Sequence, residues 1–343
     1  MNGPYYGFLG CPNPSYEQEI QDKELFLSDL FGQEVSVLSQ DPEGYRNKIE
    51  FSCSPSALGL KSSWDTVVDI EHCPLIGKEL NAVWKNIRLF VKEHNVSCFD
   101  PTSKTGWLCY VTLRIGVGVQ VVLTTTSTDN ESLVERLVEQ LGVASLYWMI
   151  NPDKEGALGT THKIYGEALL VMSLSGKEFF VRPESFFQAN TQAATAAIAL
   201  MKPHVSGRVL DLYCGVGALG QCLPHDSLVG VEENSIAVEL ANKNASHNGL
   251  IAEYHAAPAA TFAAQKSFDT VIVDPPRTGL GSAVHILLSI KPKKIVYLSC
   301  NPKTQRRDLA ALRRSYDVSS ITGIDFFPRT PHVECLVTLD LRL

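Results

Sequence analysis

The chain has no uninterrupted apolar stretch of about eighteen residues, the length a membrane-spanning helix requires. Its first ten residues lack a basic segment followed by an apolar run, so nothing there reads as a secretory leader. These two absences point to a cytoplasmic protein with no membrane partner. The nine cysteines form no dense, regular framework, which sets aside a disulfide scaffold and leaves reduced thiols, a metal site or a cluster. Positive charge is not in excess either. A formal net charge of −7 argues against indiscriminate nucleic-acid binding but permits a local basic face. No internal repeat or low-complexity tract interrupts the 343 residues, and 45 % hydrophobic content is ample for the cores of two domains.

What is present falls into two rhythms that change near residue 175. Residues 1–175 read as a smaller N-terminal α+β domain. Ser15 is placed to cap a helix over residues 15–30, with Glu17 and Glu19 in its first turn. Short alternating segments follow at 48–51 and 67–70, then a helix over 78–93, a hairpin about Gly116, and a helix over 130–141. In residues 176–343 short apolar strands at 209–212, 228–231, 270–273 and 294–298 alternate with helices. That alternation is the mark of an α/β doubly wound, Rossmann-like sheet.

The strand at 294–298 leads into Ser-Cys300-Asn-Pro302, which delivers a thiol to the carboxyl edge of the sheet, where such folds bind ligands. Cys300 is either a nucleophile or a buried free thiol. After the first strand, Asp211-Leu-Tyr-Cys-Gly215-Val-Gly217-Ala-Leu-Gly220 spells the G-x-G-x-x-G dinucleotide fingerprint, and Glu232 closes the next strand. A NAD enzyme therefore competes. Asp211, and Asp274-Pro-Pro-Arg277 after the third of these strands, favour S-adenosylmethionine, whose ribose wants a carboxylate and which has no pyrophosphate to cradle. Arg277 stands where an aromatic often stacks on an amino-bearing base, which suggests a carbon target. C5 of uracil accepts a methyl group only after a thiolate adds at C6, and a base must then remove the C5 proton. His332 and Glu334, two apart at the start of the final strand, are the candidates for that base.

Five stretches resemble the RNA uracil-5 methyltransferases, which make 5-methyluridine in tRNA or 23S ribosomal RNA. They are Ser185-Phe-Phe-Gln-Ala-Asn190, Asp211-Leu-Tyr-Cys-Gly-Val-Gly217, Val273-Asp-Pro-Pro-Arg-Thr-Gly279, Leu298-Ser-Cys-Asn-Pro302 and His332-Val-Glu-Cys335. Tyr45-Arg-Asn-Lys-Ile-Glu-Phe51 and Ile70-Glu-His-Cys-Pro-Leu75 extend the likeness into the N-terminal half, the expected site of RNA recognition. The resemblance implies Cys300 as nucleophile and Glu334 as base, with Gln188, Tyr213, Glu232 and Asp274 contacting S-adenosyl-L-methionine. It implies RNA as partner. The N-terminal half is most similar to the 23S rRNA members, so ribosomal RNA is expected over tRNA. A reading from another class is an assembly factor that binds RNA without catalysis. Ala218 replaces an asparagine common in the family, and His255-Ala-Ala-Pro-Ala-Ala260 lacks an acid often found there. Cys11 and Cys73 match two of the four cysteines that hold an iron–sulfur cluster in ribosomal-RNA members, so no cluster and no metal is expected. Lys291, Lys293, Lys294, Lys303, Arg306, Arg307, Arg313 and Arg314 flank Cys300 in sequence and are expected to contact RNA phosphates.

Overall fold

The computed structural model describes residues 15–63, 66–151, 160–262 and 267–342. The chain opens with α1 (Tyr16–Phe31) and β1 (Val37–Leu38). Next come β2 (Lys48–Ser54), β3 (Ala57–Ser63), β4 (Thr66–Asp69), α2 (Lys78–Glu93), β5 (Leu108–Gly116) and β6 (Gly118–Thr125). They lead to α3 (Glu131–Leu141), β7 (Ser145–Ile150), β8 (Thr160–Gly166), and the pair β9 (Leu170–Leu174) and β10 (Lys177–Val181). Then follow α4 (Thr191–Met201), β11 (Arg208–Leu212), α5 (Ala218–Cys222), β12 (Ser227–Glu232), α6 (Ser235–His247) and β13 (Ala252–Ala256). The chain closes with β14 (Thr270–Val273), α7 (Val284–Ile290), β15 (Lys294–Ser299), α8 (Pro302–Leu312), β16 (Tyr316–Ile324) and β17 (Glu334–Leu341).

The chain does not divide once near residue 175. One compact unit takes Met1–Pro42, Ser173–Phe180 and Ser185–Leu343, and the other takes Glu43–Met172 and Val181–Glu184. The reason lies in pairing that local sequence does not reveal. β1 adds in parallel to the edge of β16, with Val37 opposite Gly323, and Leu27 of α1 buries completely in the same core as Val35, Val37 and Ile295. α1 itself forms as its sequence dictates. The Ser15 hydroxyl accepts from the Gln18 N–H at 3.3 Å, and Gly32 ends the helix at φ 70°, its N–H donating to the Ser28 carbonyl.

The 43–172 unit is a seven-stranded sheet in the order β4-β3-β2-β5-β6-β7-β8. Only β6 and β7 pair in parallel, and α3 makes the crossover between them. α2 buries Leu80, Trp84, Ile87 and Phe90 at helical spacing, and Trp84 stacks on Phe51 of β2 with centroids 3.8 Å apart. Fully burying side chains of this kind contributes about 1.5–3 kcal/mol each.

The other unit is an eight-stranded sheet in the order β1-β16-β17-β15-β14-β11-β12-β13. β11 through β15 pair in parallel, whereas β17 runs antiparallel between β15 and β16. The strand order reverses between β12–β11 and β11–β14, which puts the ligand-binding crevice of such sheets at the carboxyl ends of β11 and β14. Because β17 is antiparallel, its first residue lies at that same edge.

Candidate active site

Five acidic or thiol side chains converge on this carboxyl edge. Asp211 is the penultimate residue of β11, Glu232 the last of β12, and Asp274 follows β14 directly. Cys300 follows β15, and Glu334 opens β17. Ser299 lies opposite Cys335 across the β15–β17 ladder, so continuing the register sets Cys300 beside Glu334.

The glycine loop after β11 serves Asp211. A Cβ on Gly220 would sit 2.7 Å from the Asp211 carboxylate, and without one the Gly220 N–H donates to Asp211 Oδ2 at 3.0 Å. Asp211 Oδ1 is buried and has no hydrogen-bond partner, and burial raises the carboxyl pKa to about 7. Tyr213 turns the chain at φ 65°, a strained value for a non-glycine residue. Glu232 holds the loop from the next strand, its carboxylate accepting from the N–H groups of Gly215 (3.2 Å) and Asn234 (2.9 Å).

On the other side of the crevice, burial raises the Asp274 carboxyl to about 7, and Gln188 Nε2 approaches it at 3.5 Å, the limit of a hydrogen bond. Burial raises Glu334 well above the ordinary carboxylate range, and the charge of Asp274 adds to the effect. Glu334 Oε2 is buried with no partner. The Cys300 thiol is pushed up to about 11, first by burial, then by Glu334 and Asp274, while Arg277 pulls it down. Cys300, Glu334, Asp274 and Arg277 therefore act on one another through their charges. A carboxyl whose proton affinity burial raises, set beside a partly exposed thiol, is equipped for proton transfer.

The structure separates some residues that the sequence grouped. His332 precedes β17 and is exposed, lying edge-on to Phe327 at 6.3 Å, so it does not share a strand face with Glu334. The basic residues flanking Cys300 in sequence do not surround it. Lys294 begins β15, about 20 Å along the strand from Cys300 at 3.3 Å per residue. Lys293 is paired with Asp269 at 3.0 Å and Lys294 with Asp340. Lys303 lies in the first turn of α8 at the Cys300 end and Arg306 near the middle of the helix, whereas Arg313 and Arg314 lie past its far end. Among the described residues no cluster of three or more His, Cys, Asp or Glu is placed to hold a metal, and Cys11 lies outside the described residues.

Sequence reasoning missed the polar side chains of α8 that fix this edge. Gln305, fully buried, donates from Nε2 to the carbonyls of Tyr297 in β15 and Cys335 in β17, both at 3.0 Å. Asp308 accepts from the Leu280 N–H at 2.7 Å and the Tyr297 hydroxyl at 2.9 Å. Asn301 Nδ2 and the Thr304 hydroxyl both donate to the Arg277 carbonyl, at 3.0 and 3.2 Å. One helix thus ties together the segments that carry Asp274 and Arg277, Cys300 and Glu334. The available signal was polar Gln305 and Asp308 on the same helix face as Leu309 and Leu312. Phe186, two residues from Gln188, is 71 % exposed where its neighbour Phe187 is 4 % exposed, a difference that sequence alone does not signal.

Residues 262–342 match the family model described as tRNA (Uracil-5-)-methyltransferase, and residues 178–290 match that described as Methyltransferase small domain. The tRNA (uracil(54)-C(5))-methyltransferase of Pyrococcus furiosus is 34 % identical over 328 residues, covering 93 % of this chain and 79 % of the relative. An uncharacterized RNA methyltransferase of Chlamydia pneumoniae is 32 % identical over 398 residues, covering 100 % of this chain and 98 % of the relative. The crystal structure of Pyrococcus abyssi tRNA (uracil-54, C5)-methyltransferase in complex with S-adenosyl-L-homocysteine superposes with a TM-score of 0.85 at 31 % identity, covering 95 % of this chain and 83 % of that one.

Proposed function

This chain belongs to the RNA uracil-5 methyltransferase family, and on that footing we propose that it methylates C5 of a tRNA uracil, position 54, using S-adenosylmethionine. Ribosomal RNA was the expectation from the sequence. The likeness to relatives named for tRNA, along 93–95 % of this chain, favours tRNA instead. The same reading puts its action in the cytoplasm.

The observation that carries the chemistry is that Cys300, just past the end of β15, lies beside Glu334 at the start of the antiparallel β17, with one Glu334 oxygen buried and free. Cys300 acts as nucleophile: its thiolate bonds to C6 of the flipped uracil, the C5–C6 electron pair becomes an enolate, and C5 takes up the methyl group as the S–CH3 bond breaks and its electron pair stays on the donor's sulfur, leaving a neutral thioether. Glu334, as carboxylate, then takes the C5 proton, the C6–S bond breaks, and the electron pair returns to sulfur as the C5–C6 double bond re-forms. Gln188, Tyr213, Glu232 and Asp274 hold the methyl donor, and Asp211, with its free buried oxygen, shapes the loop between them. The donor set fits a cationic nucleoside: Glu232 for ribose hydroxyls and Asp274 for the positive end. Bound there, the donor supplies an electrophilic methyl group and a positive charge that offsets the carboxylates raising the Cys300 thiol. Arg277 and Lys303 lie at this edge to meet RNA phosphates.

The test is incubation with methyl-labelled S-adenosylmethionine and separate tRNA and 23S rRNA transcripts, followed by nucleoside analysis. 5-Methyluridine at position 54 of tRNA, lost in Cys300→Ala, supports the proposal. Label only in rRNA would move the substrate, and label in neither RNA would sink the catalytic reading.

A further inference from the structure

α2 carries a row of lysines that the chemistry above does not use. Lys78, Lys85 and Lys92 recur every seventh residue, drifting only about 20° around the helix per step and rising about 10 Å. All three are exposed, and among the described residues no hydrogen bond, ion pair or ring contact engages any of them. Ala82 and the 44 % exposed Leu89 lie between them on the same face. The row lines an open groove of about 640 Å3, together with Glu71, His72, Asn81 and Arg88. Arg88 is already committed, pairing with Asp69 at 2.8 Å and donating to the Leu58 carbonyl at 2.6 Å. Three unpaired lysines therefore face one lining acid, Glu71, on a chain whose net charge is −7.

We propose that this α2 groove is an RNA-backbone surface, taking the phosphodiester chain of a structured RNA; the proposal rests on the reading that the substrate is RNA. Charge complementarity selects that occupant. Flexible ammonium groups at even spacing suit phosphates as point charges, without the fixed fork that arginine uses to read bases. Such contacts set the register of a substrate and carry no sequence information. The small Ala82 and the apolar Leu89 leave room between the lysines for ribose.

The test is fluorescence polarisation with a tRNA transcript as probe across a range of KCl concentrations. It compares wild type, a variant carrying Lys78→Gln, Lys85→Gln and Lys92→Gln, and a charge-matched control carrying Lys163→Gln, Lys202→Gln and Lys243→Gln. The α2 variant is expected to bind at least about ten-fold more weakly near physiological salt, with the log–log salt slope flattened by about two to three. The control is expected to change neither comparably. In methylation the α2 variant should raise KM for tRNA and leave kcat alone. Binding by the α2 variant equal to wild type, or an equal loss in the control, overturns the surface. A protein that shows the lysine dependence yet forms no 5-methyluridine would leave this surface standing and sink the methylation proposal. Absence of wild-type tRNA binding overturns both.

Discussion

Lys23 and Asp325 meet in the protein interior, Nζ to Oδ1 at 2.9 Å, with side chains 4 % and 0 % exposed. Lys23 also pairs with Glu19 at 2.6 Å, and the Tyr16 hydroxyl donates to the other Asp325 oxygen at 2.8 Å. α1 is thereby fastened to the segment after β16. Phe326 in that segment also accepts, through its carbonyl, from Asn190 at 3.2 Å, and the segment leads to Glu334.

Removing the lysine leaves two buried carboxyl groups without their cation. Losing one partner of a buried pair costs about 3–5 kcal/mol. Lys23→Met is expected to lower unfolding free energy by that amount in urea denaturation, with Asp325→Asn in the same chain recovering part of it. A loss of under about 1 kcal/mol would show that the network contributes little.

The Cys300 thiol, pushed up to about 11, should alkylate slowly at neutral pH. Its rate with iodoacetamide, followed by peptide mapping, is expected to keep rising with pH beyond 9, because only the thiolate reacts. Arg277 pulls that pKa down, so Arg277→Gln should slow alkylation at any given pH. A plateau near pH 8 would contradict the burial and the two carboxylates as causes.

Much of this site was legible because its residues close short motifs at strand ends. A thiol after Ile-Val-Tyr-Leu-Ser and a carboxylate before Pro-Pro can be placed on a sheet edge from local pattern alone. The helix over 78–93 and the β5–β6 hairpin matched the spacing read for them, since periodicity and turn residues are local properties. β1 was not legible, because two residues of strand have no pattern and its partner β16 lies near the other end of the chain. Nor were the roles of Gln305 and Asp308, whose meaning comes only from carbonyls and N–H groups on other elements. His332 was grouped with Glu334 on the assumption that β17 starts two residues earlier than it does.

If Glu334 removes the C5 proton, Glu334→Gln should still form the Cys300 adduct and transfer the methyl group but fail to release product. Ordinary tRNA with S-adenosylmethionine is expected to give this variant a denaturation-resistant protein–RNA band that wild type does not accumulate. Normal turnover by Glu334→Gln would assign the base elsewhere.

The central claim is that Cys300 bonds to the target uracil, and 5-fluorouridine-containing tRNA with S-adenosylmethionine tests it most directly, because fluorine cannot leave C5 as a proton. The account predicts a covalent protein–RNA complex that survives denaturation, maps to Cys300, and disappears in Cys300→Ala. No such complex, with both tRNA and methyl donor shown to bind, would contradict it.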